Sequence, residues 1–216
     1  MDIFLYITLG VVDSICITLL AFRFFRWPYK DYIAEMLILA TMASMASFIL
    51  RVVLSFPFID MGIQLLLYII FFIVVIQIKP SRALVVAVFG YLAFMVNQII
   101  IILILKLADI VQLPHAHATE GVEIYLIQIA SQISCFVLAY VMYRKRLGFS
   151  FWLVPPHTFY IKDKTDYKLI VITWISILIV SATLFIVFYT NNFFWSFIVI
   201  PLFVLIYYVS RNREWE

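Results

Sequence analysis

Long apolar stretches separated by short polar ones set the rhythm of this chain. Residues 3–22, 33–54, 61–78, 83–108, 123–143, 169–189 and 193–210 each form a run dominated by Leu, Ile, Val, Phe and other apolar residues. A hydrocarbon core about 30 Å thick needs about 20 such residues in a helix, and all seven runs reach or approach that length. They carry little of the two-residue alternation of a membrane barrel. Inside lipid, a helix satisfies its own backbone groups without a neighbouring strand. The pattern therefore predicts an all-α, polytopic bundle of seven transmembrane helices, forming a single integral membrane domain over residues 1–216. The last pair is the least regular: only Thr190, Asn191 and Asn192 separate its members, and Pro201 falls inside the seventh run. Two Asn residues suit such a tight turn, because their side chains bond the local backbone and tolerate left-handed geometry.

Composition sharpens this picture. Hydrophobic residues make up 66% of the 216 and charged residues only 12%, with a mean hydropathy of +1.12. A soluble domain is nearer half apolar and a quarter charged, so this chain lacks the polar surface to cover a water-soluble globule. Cys16 and Cys135 both lie inside apolar runs, and no disulfide is expected between them. Asp2 stands where a secretory leader carries basic residues, and no small-x-small site precedes Arg23, so the first run is expected to stay in place as a helix.

Charge then orients the bundle. Arg23, Arg26 and Lys30 lie between runs one and two, and Lys79 and Arg82 between three and four. Arg144, Lys145, Arg146, Lys162, Lys164 and Lys168 lie between five and six, and Arg211 and Arg213 follow the seventh. The alternate connections are nearly bare of cations: Arg51 and Lys106 sit near helix ends among Asp60, Asp109, Glu120 and Glu123. Cytoplasmic loops are the basic ones, which places the N-terminus outside and the C-terminus in the cytoplasm. The net charge of +3 is thus a topology signal, and no nucleic acid is implied as a partner. Trp27, Tyr29, Tyr32, Trp152, Tyr207 and Trp215 gather near the basic ends, where interfacial aromatics belong. Phe149, Phe151, Trp152 and Leu153 are expected to lie flat in the headgroup layer before Pro155 and Pro156.

The chemistry-bearing residues lie within the apolar runs. Asp13 falls halfway along the first, where a charged side chain costs at least about 2.5–3.5 kcal/mol. A neutral carboxyl, donating to an amide oxygen of Asn97 or Gln132, is the expected form. Depth counted at about 1.5 Å per residue brings Asn97 and Gln132 near the level of Asp13. Gln128, Gln132 and Cys135 share one helical face by their i, i+4, i+7 spacing. Asp13, Asn97, Gln98, Gln128 and Gln132 are therefore candidates for one interior polar cluster. Such a cluster either fixes helix packing, at about 0.6 kcal/mol per contact, or floors a ligand cavity. Arg51 is expected to pair with Asp60 or Asp109, or to receive an anionic group of an extracellular ligand. Ala40 with Ser44, and Ala43 with Ser47, have the small-xxx-small spacing that admits a close neighbour, either within the bundle or in a homodimer.

The loop LPHAHATEGVEIYL, residues 113–126, carries His115, His117, Glu120 and Glu123 on the outer side. Two histidines two apart suit one face of a strand and not of a helix, and a closed zinc site needs three or four ligands. No metal is expected there. The loop is expected to face solvent, with ligand contact or pH sensitivity through His115 or His117 as the alternative, since an exposed imidazole titrates near pH 6.5.

Catalytic signatures are missing from the sequence: no GxSxG, no HExxH, no P-loop, no paired intramembrane aspartates and no lysine in the last run for a retinal Schiff base. Neither an enzyme nor a bound cofactor is expected. The segment YIIFFIVVIQIKPSRALVVAVFGYLAFMVNQ, residues 68–98, pairs a Phe/Ile-rich run, a short basic turn and a run ending in Asn. In this layout the chain resembles the membrane sensor domain of the accessory-gene-regulator type peptide-sensing histidine kinases of Gram-positive bacteria. That resemblance implies a multi-pass protein of the bacterial cytoplasmic membrane, an extracellular peptide ligand, and a kinase or other partner that carries the signal onward. The sequence departs from it after Ser210, where RNREWE offers neither a phospho-accepting His nor an ATP-binding domain. The expectation is a receptor or sensor module for quorum-sensing signal transduction, cut from its kinase or acting through a partner. The alternative is a small transporter or a subunit of a transport complex.

Overall fold

The computed structural model describes residues 3–54, 56–111, 121–150, 167–190 and 192–214. Among the described residues seven α-helices follow one another: α1 (Ile3–Phe24), α2 (Ile33–Phe48), α3 (Pro57–Val74), α4 (Pro80–Leu107), α5 (Val122–Arg144), α6 (Tyr167–Thr190) and α7 (Val199–Glu214). No strand occurs among the described residues. Six helical stretches are long and apolar enough to cross a membrane, at Ile3–Phe24, Tyr29–Val53, Pro80–Leu107, Val122–Arg144, Tyr167–Val187 and Phe193–Asn212. A seventh, Ile59–Val74, is apolar but shorter. This is an all-helical protein of multi-pass membrane character.

Local chemistry explains the boundaries. Pro57 and Pro80 each stand in the first turn of their helices, where a missing N–H breaks no bond and the fixed φ suits the helix. For that reason α3 begins four residues before the expected 61 and ends at Val74 instead of 78. Pro201 behaves similarly: a 3-10 turn, Phe193–Ile198, precedes α7, so the proline falls in the first turn and does not interrupt it. Asn192 accepts the Phe194 backbone N–H with its side chain at 3.0 Å and so opens that turn. α2 runs into a π-helical turn, Ile49–Val53, which closes with Leu54 N–H on the Ile49 carbonyl at 2.9 Å.

Three helices end in a left-handed residue that is not glycine. Arg26 (φ 52), Asp109 (φ 55) and Arg146 (φ 50) occupy these positions. The following N–H then reaches five residues back, from Trp27 to Phe22, Ile110 to Leu105 and Leu147 to Met142, at 2.9, 3.0 and 2.9 Å. These are Schellman closures, which normally recruit glycine, because a side chain there costs roughly 1–2 kcal/mol. The turn at Arg26 sends the chain back under the bundle. Trp27 is consequently buried against Phe22, Phe25 and Phe72 rather than exposed on the surface of the bundle. Phe149 is also buried rather than flat on the membrane: its N–H bonds the Phe24 carbonyl at 2.6 Å, and its ring packs on Phe25, Phe89 and Tyr207. Phe151, Trp152, Leu153 and Trp215 lie outside the described residues.

α4 is the centre of the bundle, touching α1, α3, α5, α6 and α7, while α1 packs between α2, α4 and α5. Small residues allow these approaches. Ala40, Ala43, Ser44 and Ser47 of α2 are all buried, and Ser44 Oγ donates to the Ile7 carbonyl of α1 at 2.7 Å. The small stripe therefore serves packing within the bundle. Gly90 admits α1 against α4: a Cβ there would stand 2.7 Å from Ala21 Cβ and 2.8 Å from the Ile17 carbonyl. Below this crossing the core is aromatic. Phe24, Phe89, Phe203 and Phe149 form a connected set, with Phe24–Phe89 centroids 4.7 Å apart and Phe89–Phe203 centroids 5.3 Å apart, and such contacts fill space while favouring tilted or edge-on geometry. The end of the bundle holding the C-terminus of α1 is built around this aromatic set.

Candidate functional site

The opposite end, towards the N-terminus of α1, is hollow and polar. A cavity of about 300 Å³ lies between α1, α2, α3, α4 and α5, with Leu184 of α6 and Phe193 and Ser196 of the turn before α7 completing the wall. Tyr6, Gly10, Asp13, Ser14 and Ile17 face it from α1, a single helical stripe by their spacing. Tyr91, Phe94, Met95, Gln98 and Ile102 form the corresponding stripe of α4. Ser44 and Ser47 face it from α2, and Arg51 from the π-helical turn that follows. π-turns of this kind recur at functional sites because the inserted residue re-aims side chains.

Two carboxylates organise the polar groups. Asp13 Oδ1 accepts from Gln132 Nε2 at 2.9 Å, and Asp13 Oδ2 accepts from Gln128 Nε2 at 3.2 Å. Gln132 Nε2 also donates to the Leu9 carbonyl at 3.0 Å, which ties α5 to α1 just above the aspartate. The carboxyl receives both amides here, the reverse of the donor role expected from sequence. Gln128 lines the cavity itself, whereas Gln132 is buried behind it.

Asp60 is the second centre, and it is fully buried. It stands in the first turn of α3, where the helix dipole favours an anion. Its Oδ2 receives Arg51 Nε in a close ion pair, Ser47 Oγ at 3.0 Å and Gln64 Nε2 at 3.1 Å. Tyr6 hydroxyl extends the chain to Ser47 Oγ at 3.2 Å. The Arg51 side chain, which lines the cavity, is 33% exposed, against 0% for Asp60. Pairing of Arg51 with Asp60 was one of the sequence expectations. That Asp60 and Gln64 belong to the same interior network was not, although their i, i+4 spacing places both on one face of α3.

Of the sequence candidates, Asp13, Gln98, Gln128 and Arg51 line this cavity, and Gln132 supports it from behind. Gln98 projects into it with no side-chain hydrogen bond to the described residues. Asn97 does not join. It turns away to α5, donating to the Ser131 carbonyl at 2.9 Å and accepting from Ser134 Oγ at 2.8 Å. Its role is to fasten α4 to α5. Cys16 and Cys135 are unbridged and buried where α1 meets α5, with Cys135 Sγ 3.6 Å from the Cys16 carbonyl. His115, His117 and Glu120 lie outside the described residues, and Glu123 is exposed at the start of α5.

A second hollow adjoins the first. About 370 Å³ of apolar groove lies between α3, α4 and α6, walled by residues such as Leu65, Val88, Leu92 and Ile177. Met61, Tyr91 and Leu184 line both spaces, so the partition between polar cavity and groove is one layer of side chains. Comparison with known protein families, curated proteins and solved structures finds no match.

Proposed function

We propose that this chain is a non-enzymatic membrane receptor or sensor module that binds an extracellular ligand and signals through a partner protein. The observation that carries this reading is the polar cavity of about 300 Å³, lined by Asp13, Arg51, Gln98 and Gln128, at the end of the bundle opposite the aromatic cluster. Its size is at the lower bound for small-ligand pockets, enough for a small molecule or a few side chains of a peptide. Gln98 and the exposed part of Arg51 are its recognition groups, and Asp13 is its acceptor. In this proposal seven helices cross the bacterial cytoplasmic membrane with the N-terminus outside, so the cavity faces outward and the aromatic end inward. The short α3 crosses as the third span. Labelling of Ser81→Cys from the cytoplasmic side alone is expected; labelling from outside alone would overturn the orientation.

Binding decides the function. Peptide fractions of conditioned medium, applied to purified protein in nanodiscs, are expected to bind saturably without flux into proteoliposomes. Asp13→Asn keeps size and an acceptor and should retain binding, whereas Asp13→Leu should lose it at unchanged expression. A rival reading, a small transporter, is favoured by one observation: Asp13, Arg51 and Asp60 place three ionisable groups around one cavity, and buried ionisable groups mark substrate and proton pathways in membranes. Ligand-dependent flux abolished by Asp13→Leu would replace the receptor with the carrier.

A further inference from the structure

Side chains alone separate the polar cavity from the apolar groove of about 370 Å³ between α3, α4 and α6. Met61, Tyr91 and Leu184 line both, and Met61 is an unbranched, adaptable side chain that yields easily. The two spaces follow one another along the bundle. From the shared end, the groove runs along α3 from Met61 to Ile69, along α4 from Leu92 back to Leu84, and along α6 from Leu184 back to Trp174. At about 1.5 Å per residue these stretches are roughly 12–15 Å long, and one leaflet of a hydrocarbon core about 30 Å thick is about 15 Å deep. Among the described residues no charged side chain lines the groove. Ser176, one of its two serines, directs its hydroxyl to the Ile172 carbonyl at 2.8 Å. The wall is recessed at Gly62, where an added Cβ would find nothing within 4 Å.

We infer that the two spaces form one site, whose ligand is an amphiphile with a single acyl chain in the groove and a small hydroxylated head in the cavity. This rests on the receptor reading above and narrows its ligand class. The head follows from the groups that line the cavity. Gln98 brings an amide with no side-chain hydrogen bond to the described residues, and an amide both donates and accepts. Asp13 adds an acceptor and Arg51 adds donors. The Arg51 charge is already opposed by Asp60, so a neutral head that donates and accepts, such as glycerol, suits the cavity better than an ion. The chain follows from the groove. Lipid tails are as apolar as its walls, so leaving the bilayer for the groove gives little net drive. The groove supplies shape and register, while hydrogen bonds to the head, strengthened by low dielectric, supply affinity. A head at the cavity and a chain running from it towards the middle of the bundle is also the stance of an outer-leaflet lipid in the orientation proposed above.

The probe is a lauroyl monoglyceride carrying a photoactivatable diazirine, either beside the ester or at the chain end, added to the protein in phosphatidylcholine nanodiscs. Cross-linked residues are read by mass spectrometry. The ester-side diazirine is expected to mark Met61, Tyr91 or Leu184, and the chain-end diazirine Ile69, Leu84 or Trp174, both displaced by unlabelled monoglyceride. Gly62→Leu fills the groove from a position with free space, so it should remove chain-end labelling while unfolding at the parent's temperature. Gln98→Leu should weaken displacement by about three- to tenfold, the range of one hydrogen bond. Labelling spread equally over exposed positions such as Leu178 and Ile133, no displacement by the unlabelled compound, or unchanged labelling in Gly62→Leu would overturn the inference. Two outcomes separate it from the receptor reading. A peptide fraction that binds the parent and Gly62→Leu equally, with no chain-end labelling, sinks the amphiphile and leaves the receptor. Groove labelling together with Asp13-dependent flux keeps the amphiphile site and replaces the receptor with a carrier.

Discussion

Replacing Arg51 by Gln and replacing Asp60 by Asn break the same ion pair, yet the two changes should differ in cost. Without Arg51, the carboxylate of Asp60 remains at 0% exposure with only Ser47 and Gln64 to donate to it. A buried charge stripped of its partner costs about 3–5 kcal/mol, and the two remaining donors argue for the lower end, about 3 kcal/mol. Asp60→Asn leaves an amide oxygen in place to accept from Arg51, Ser47 or Gln64. It also leaves an arginine whose side chain is 33% exposed, against 0% for Asp60, so the loss should be smaller, about 1 kcal/mol. For a chain of this size 1 kcal/mol moves the unfolding midpoint by about 2–4 °C. Arg51→Gln should therefore fall by roughly 6–12 °C and Asp60→Asn by roughly 2–4 °C. The double variant holds no unpaired charge, so it should sit well above the sum of the singles. Tryptophan fluorescence during heating, in one detergent for all four proteins, reads these shifts. An Asp60→Asn loss equal to or larger than that of Arg51→Gln, or strict additivity, would refute the buried network.

Two packing predictions follow from glycines. Gly148→Ala should destabilise the fold by at least the roughly 1–2 kcal/mol of a left-handed side chain, because φ is +121 and the new methyl meets the Arg23 and Phe24 carbonyls at 2.7 and 2.8 Å; a neutral thermal midpoint would mean that residues 147–149 do not dock under α1. Gly90→Val should destabilise by about 1–3 kcal/mol at the Ala21 crossing, whereas Gly62→Ala, with nothing within 4 Å of the new methyl, should be neutral or gain up to about 1 kcal/mol of helix propensity; equal effects at both positions would contradict the α1–α4 crossing.

The parts of this molecule that sequence reasoning reached are those governed by hydropathy and depth. Apolar runs fix roughly where the helices form; counting residues along them brings Asp13 near the level of Gln132, and the i, i+4 spacing adds Gln128 to the same face, and both do meet it. What depth cannot supply is the direction in which a side chain points around its helix. Asn97 has the right depth and the wrong azimuth: it sits one residue, about 100°, from Gln98. The cavity stripe of Tyr91, Phe94, Met95, Gln98 and Ile102 excludes it. That stripe is written in the sequence as 3- and 4-residue spacings, but in a helix apolar on all sides no polarity contrast marks which stripe faces inward. Asp60 was hidden differently. Pro57 reads as an interruption, so an acid three residues later looks like loop, when a first-turn proline is a helix start and puts that acid inside. Trp27 and Phe149 were hidden by Arg26 and Arg146. A glycine at either position would have announced a left-handed turn that folds the next residues under the bundle. An arginine announces only a loop charge, and so conceals the turn.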